Sequence, residues 1–170
     1  TLDYSGNGFN NGSKLVVAAR GQSVRELPYE ISGNIQLPLG FSKPFACRPG
    51  VLAVTGPPIE PRPSLDAPDD NAIWNVTKQS LWTRDIQNFT HSIDQQDDLL
   101  KWPLIIITDN SEFTAATLEN LLWITFTRSN PATDVHGVRE TIFQKHWGCA
   151  GPLIIDARLK PHHAPPVEED

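Results

Sequence analysis

Leu104-Ile105-Ile106-Ile107-Thr108-Asp109-Asn110-Ser111, continued by Ala115 to Arg128 and closed by Pro131 and Asp134, is the stretch that decides the fold. Four consecutive aliphatics, three of them β-branched, predict a strand buried on both faces in the middle of a sheet. Asp109, Asn110 and Ser111 then offer side-chain oxygens that cap a helix start. From Ala115 to Arg128, apolar residues fall at Ala115, Leu118, Leu122 and Phe126, with Leu121 and Ile124 widening the stripe. Such a helix has little polar face and is expected to be covered on more than one side. Arg128 suits the negative end of the helix dipole, and Pro131 prevents continuation. Asp134-Val135-His136-Gly137 opens another extended segment. Strand, helix, proline stop and strand make an α/β unit. The expected architecture is a single α/β domain with a mixed sheet flanked by helices. Leu104–Ile107, the helix around Leu118–Phe126 (Trp123 included) and Leu153–Ile155 are expected to share one core.

Working outward, 170 residues suffice for one domain with a proper core. Fifteen prolines imply much loop. The net charge is −6 with no basic run, which argues against a nucleic-acid or anionic-membrane partner. No apolar stretch approaches a membrane span and no signal peptide is visible at Thr1. Two cysteines, Cys47 and Cys149, are too few for a disulfide scaffold and fit a reducing, cytoplasmic setting, with a single bridge as the alternative. In that setting the glycosylation-like triplets at Asn11, Asn75 and Asn88 read as chance.

Leu2 to Tyr4 reads as the end of a strand, and Ser5 to Ser13 as turn chemistry rich in Gly and Asn. Gly6-Asn7-Gly8 suggests a phosphate cradle, but Asn11 stands where the dinucleotide fingerprint needs its third glycine, and Leu15 to Ala19 reads as a strand where a helix is required. Arg25 to Ile35 is compatible with a short helix, weakened by Pro28 and Gly33, and Val51 to Thr55 with a strand after the Pro49-Gly50 turn. The proline-dense connection 56–68 cannot be regular structure and reads as a stiff surface segment or an arm on a partner subunit. A helix is expected within Asn71 to Leu99. Asp94, Asp97 and Asp98 at its end are disfavoured by the dipole and suggest a loop, with a divalent cation as the sharper alternative.

Residues capable of chemistry are sparse. His146-Trp147-Gly148-Cys149 with His162-His163 invites a zinc reading, but the paired spacing of strong zinc motifs is absent. Cys149 as a nucleophile needs a base such as His146; a small buried cysteine is the plainer reading. Arg25-Glu26 and Arg139-Glu140 have the residue types that suit decarboxylation, but neighbours on a strand point to opposite faces. The end of the chain, 161–170, is an acidic tail.

The run Leu122-Trp123-Ile124-Thr125-Phe126-Thr127-Arg128-Ser129-Asn130-Pro131-Ala132-Thr133-Asp134 resembles the LW(A)xxTRxxPxxD signature near the end of UbiD-type decarboxylases. Gly151-Pro152-Leu153-Ile154-Ile155-Asp156-Ala157 is similar to that family's late strand, and Gly8 to Ala18 to the start of its C-terminal region. The resemblance implies the C-terminal domain of a longer enzyme, which fits a chain that contains no methionine. It implies a carboxy-lyase that reversibly and non-oxidatively decarboxylates an aromatic or α,β-unsaturated acid, using prenylated FMN with manganese and potassium. It places the flavin, the metals and the acid–arginine–acid set in an N-terminal domain of the same protein, so no catalytic residue or metal ligand is assigned here. Trp123, Thr127, Arg128, Pro131 and Asp134 carry the signature as structural residues. Phe143, His146 and Trp147 are the candidates for lining the substrate pocket, in a segment, Lys145 to Cys149, that departs from better-known members. The resemblance further implies a homodimer or higher homo-oligomer, and Trp74, Trp82, Phe89, Trp102 and Trp147 are the aromatics available for such an interface. A non-catalytic α/β interaction or regulatory domain is the alternative.

Overall fold

The computed structural model describes residues 21–23, 25–33, 35–59, 83–131 and 133–160. The expected strands at Leu2–Tyr4 and Leu15–Ala19, the turn at Ser5–Ser13, most of the proline-rich connection, Trp74, Trp82, His162, His163 and the acidic tail lie outside them.

Seven strands form: β1 (Ser42–Arg48), β2 (Val51–Thr55), β3 (Leu104–Thr108), β4 (Val135–Gly137), β5 (Glu140–Phe143), β6 (His146–Cys149) and β7 (Leu153–Asp156). Five of them make one mixed sheet in the order β1-β2-β3-β7-β4, and β5 and β6 pair separately as a hairpin. The centre is parallel, with Leu52 beside Ile105 and Ile105 beside Ile154, and both edge strands run antiparallel. Because alternate residues point to opposite faces, the aliphatic run of β3 feeds two cores. Ile105 and Ile107 join Leu52, Val54 and Ile154 on one face, against Ile86, Phe89, Ile93, Leu99 and Trp102. Ile106 joins Ala53 and Ile155 on the other, against Leu121 and Ile124.

The first face is covered by a helix α1, described over residues 83–93, and the short α2 (Asp97–Leu100). Their Phe89 and Trp102, expected at a subunit interface, are core residues, and Phe89 lies 4.4 Å from Phe41 between ring centres. Asp97 and Asp98 open α2, where the dipole favours them, and Asp98 pairs with Lys101 at 2.6 Å.

The second face is covered by α3 (Ser111–Ala116) and α4 (Leu118–Thr127). The expected single helix is broken at Thr117, which is extended at φ −138°, ψ 163°. Its hydroxyl accepts from the Asn120 N–H at 3.0 Å, a capping bond that competes with helix continuation. Asn110 caps α3 in the same way, accepting from the Phe113 N–H at 3.1 Å. The break decides which stripe of α4 faces the sheet. Leu121, Ile124 and Thr125 are buried, whereas Leu118, Leu122, Trp123 and Phe126 are 42–51% exposed. The single core containing Trp123 is thereby corrected to two cores, neither of which holds it.

Two further expectations change. No helix forms among the described residues between 21 and 41; instead Ile31, Ile35 and Leu37 pack as loop against the first core. β1 was not foreseen, and it carries Pro44 and the charged Lys43 and Arg48. Those residues suit an edge strand, where a missing N–H faces no neighbour, and its pairing with β2 is interrupted by register shifts. No helix of the described residues is long and apolar enough to cross a membrane.

Candidate functional site

The parallel strands end at Thr55, Thr108 and Asp156, and charged side chains converge at that edge. Arg158 is fully buried. Its Nε donates to Asp156 Oδ1 and its Nη2 to Asp156 Oδ2, both at 2.9 Å. Its Nη1 donates to the Pro57 carbonyl at 2.9 Å and reaches Asp85 of α1 at 3.4 Å. Gly56 makes room for this arm, since a β-carbon there would collide with Ile107 and the Arg158 stem. Lys160 Nζ goes the other way, to the Asp156 carbonyl at 2.8 Å, the Arg128 carbonyl at 3.2 Å and the Asp134 carboxylate at 3.2 Å. The segment from Asp156 to Lys160 is thus a strap tying the helices of both faces to the sheet.

The signature residues belong to this strap. Arg128 Nη1 donates to Asp109 Oδ2 at 3.0 Å, and the same oxygen accepts from the Leu159 N–H at 2.8 Å. The Arg128 guanidinium also lies over the Trp123 ring, 5.7 Å from its centre. Asp134 accepts from the Asn130 N–H at 2.7 Å, closing the turn that holds Pro131. Thr127 Oγ1 donates to the Trp123 carbonyl at 2.6 Å within α4. Every one of these contacts is internal, so the motif acts on architecture.

The pocket candidates lie elsewhere, on the β5–β6 hairpin. Gln144 and Lys145 form its two-residue turn with φ of 48° and 68°, the left-handed pair that matches strand twist. Phe143 pairs directly with His146, so these two share one face. Trp147 pairs with Ile142 on the opposite face, which folds back over Gly137 of β4. A β-carbon at Gly137 would run into Cys149 and Trp147, and that missing atom lets the hairpin lie close. Phe143 is 71% exposed and Trp147 45%, so neither is core packing. His146 and Cys149 stand on opposite faces of β6, which removes His146 as the base for a Cys149 nucleophile. Burial and then the Glu140 charge raise the Cys149 thiol, the reverse of what a nucleophile needs. Cys47 and Cys149 are both free thiols.

Beside the hairpin base a polar groove of about 360 Å³ opens between α1 and β4. Thr90, His91, Asp94, His136, Arg139 and Glu140 line it. Arg139 Nε bonds Asp94 at 2.7 Å across it, and Glu140 accepts from the Gly137 N–H at 2.7 Å. His136 is pushed below its ordinary value by burial, against the attraction of Asp156, Glu140 and Asp134. Among the described residues no group of three or more His, Cys, Asp or Glu side chains is arranged to hold a metal ion. The described chemistry does not fit a flavin–metal centre either, because the converging Arg158 and Lys160 are enclosed by Asp156, Asp134 and carbonyl oxygens.

Sequence reasoning missed both the strap and the groove. The strap had a signal in Asp156-x-Arg158-x-Lys160, an alternation of charges leaving a buried strand. The groove had none, since its residues come from segments some forty-five positions apart.

The chain is 32% identical, over all of its 170 residues, to a protein of Chlamydia pneumoniae named as a subunit of 4-hydroxybenzoate decarboxylase. The resemblance to UbiD-type decarboxylases holds. Proteins of Chlamydia trachomatis and Chlamydia caviae, described only as uncharacterized, are 31% and 29% identical to it over the same full length. The chain spans about a quarter (24%) of the length of each of these relatives. No family model matches the chain, and no solved structure matches it significantly.

Proposed function

We propose that this UbiD-like chain serves as the C-terminal domain of a cytoplasmic carboxy-lyase that decarboxylates an aromatic or α,β-unsaturated carboxylic acid reversibly and without oxidation. The observation that carries the reading is the full-length similarity to a protein whose name states a decarboxylase of an aromatic acid. In this reading prenylated FMN, manganese and potassium sit in an N-terminal domain of the same protein, where the flavin supplies an electron sink. The part played by the present residues is positional. The hairpin, held by Gly137 and its two-residue turn, presents Phe143 and His146 to the pocket, and the strap holds the helices against the sheet behind it. The apolar face of α4 (Leu118, Leu122, Trp123, Phe126) suits burial by a second copy or by the N-terminal domain, since exposed apolar patches of this kind mark interaction surfaces.

The test is carbon dioxide release from aromatic acids by the longer protein carrying this chain, loaded with the flavin, compared with residues 1–170 alone. Turnover by the first and none by the second is expected. Absence of turnover in the loaded longer protein across aromatic and unsaturated acids, with its fold intact, favours the interaction-domain reading. Light scattering over a dilution series tests the dimer, and a strict monomer at every concentration removes it.

A further inference from the structure

Gly148 sits in β6 without an internal reason to be glycine. Its φ is outside the left-handed region, and a β-carbon built on it meets nothing within 4 Å. Gly137, the other strand glycine among the described residues, is the opposite case, packed tightly under Cys149 and Trp147. A half-covered strand position with ordinary backbone and open space stabilises a hairpin better with a β-branched residue, because glycine loses more backbone freedom and packs nothing. A glycine inside a strand also marks a place where a ligand or another backbone comes close. With conformation and internal packing removed as reasons, close approach from outside is left.

The surroundings of Gly148 say what approaches. It pairs with Thr141, and the next pair towards the turn but on the same face is Phe143 with His146. Thr141, Phe143 and His146 are all exposed. The face is therefore a strip of bare peptide beside a phenyl and an imidazole, with Lys145 in the adjoining turn carrying the positive charge of the hairpin. We propose that this face binds the ring of an aromatic carboxylic acid, with the ring flat on the Gly148 peptide, its edge against Phe143 and His146, and its carboxylate drawn to Lys145. Offset and edge-to-face contacts are the geometry aromatic rings prefer. A strand from another chain would meet Phe143 and His146 standing above the sheet before reaching the backbone, whereas a planar ring fits beside them. The choice of a carboxylic acid rests on the decarboxylase reading above; the preference for a planar group rests on Gly148 alone.

Saturation-transfer NMR on the full chain tests this, with 4-hydroxybenzoate as probe and cyclohexanecarboxylate as the non-planar control. The planar acid should receive saturation and the control should bind about ten-fold more weakly, the scale of one aromatic contact. Gly148→Val should abolish the difference while leaving the thermal midpoint unchanged or raised, since its side chain enters open space. Phe143→Ala, at an exposed position, should weaken the planar acid without affecting the fold and so serves as the second variant. Equal binding of both acids, or unchanged binding in Gly148→Val, overturns the proposal. So does a change of sedimentation coefficient in Gly148→Val without loss of ring binding, which would identify a second chain as the occupant. Failure of the longer protein to release carbon dioxide would refute the decarboxylase reading and leave ring binding untouched.

Discussion

Asp156 and Arg158 form a two-point ion pair, with both bonds at 2.9 Å and both side chains out of solvent. A guanidinium fork on a carboxylate is a geometrically specific pairing, and burial raises the cost of losing either partner. Arg158→Met or Asp156→Asn should each destabilise the fold by about 3–5 kcal/mol, because the remaining charge is left buried. Urea unfolding measures it. A loss under about 1 kcal/mol would mean the strap does not hold the sheet edge.

The same carboxylate predicts acid sensitivity. Burial acts to raise Asp156, but the Arg158 hydrogen bonds and the Lys160 and Arg158 charges outweigh it and leave the group below its ordinary value. The unfolded chain therefore takes up this proton more readily. The stabilisation is complete above the ordinary carboxylate range and is lost as pH falls through the folded-state value. Unfolding free energies from pH 7 downwards should drop, and the drop should be smaller in Asp156→Asn.

His136 works with the same sign at higher pH. Its folded-state value lies below the ordinary one, chiefly through burial, so protonation favours the unfolded chain. Stability should be complete above about 6.5 and decline as pH falls below it, flattening once the folded-state value is passed. An NMR titration should place the His136 midpoint below the midpoint of a histidine in the unfolded chain. A midpoint at or above that reference would show that the neighbouring carboxylates win over burial.

Trp123 should be worth little to stability despite its size. It is 44% exposed and its defined contact is the Arg128 guanidinium. Trp123→Ala should cost about 1 kcal/mol, the scale of an exposed cation–π contact plus partial burial. Ile124→Ala, one position on and buried, should cost about 2–5 kcal/mol. Thermal and denaturant unfolding of the two variants side by side would expose a reversed order, which would turn α4 over.

Neither thiol should be reactive at neutral pH. Cys47 is pushed up to about 11, mainly by burial, and Cys149 is raised by burial and by Glu140. The thiolate is the reacting species, so alkylation by iodoacetamide should be slow at both, and slower at Cys47. Mass spectrometry of a time course gives both rates, and a fast Cys149 would revive it as a nucleophile.

Local physics was legible in the sequence. Leu104–Ile107, Val51–Thr55, Val135–Gly137 and Leu153–Ile155 were readable as strands because aliphatic runs between Pro, Gly and Asp signals have few other outcomes. The Asn110 cap was readable for the same reason, since its bond spans three residues. Tertiary structure decided which side of each element is inside. Thr117 chose its own capping bond over helix continuation, and that turned Trp123, Leu122 and Phe126 outward and Leu121 and Ile124 inward. On a helix apolar nearly all round, periodicity cannot select a face; only the sheet it lands on does. β1 formed against expectation because an edge tolerates a proline that a central strand would not. The pairing of Phe143 with His146, and the placing of Trp147 on the other face, follow from a two-residue turn that sets register. The partners of Arg158 come from positions far apart in the chain, and only the assembled sheet edge brings them within bonding distance.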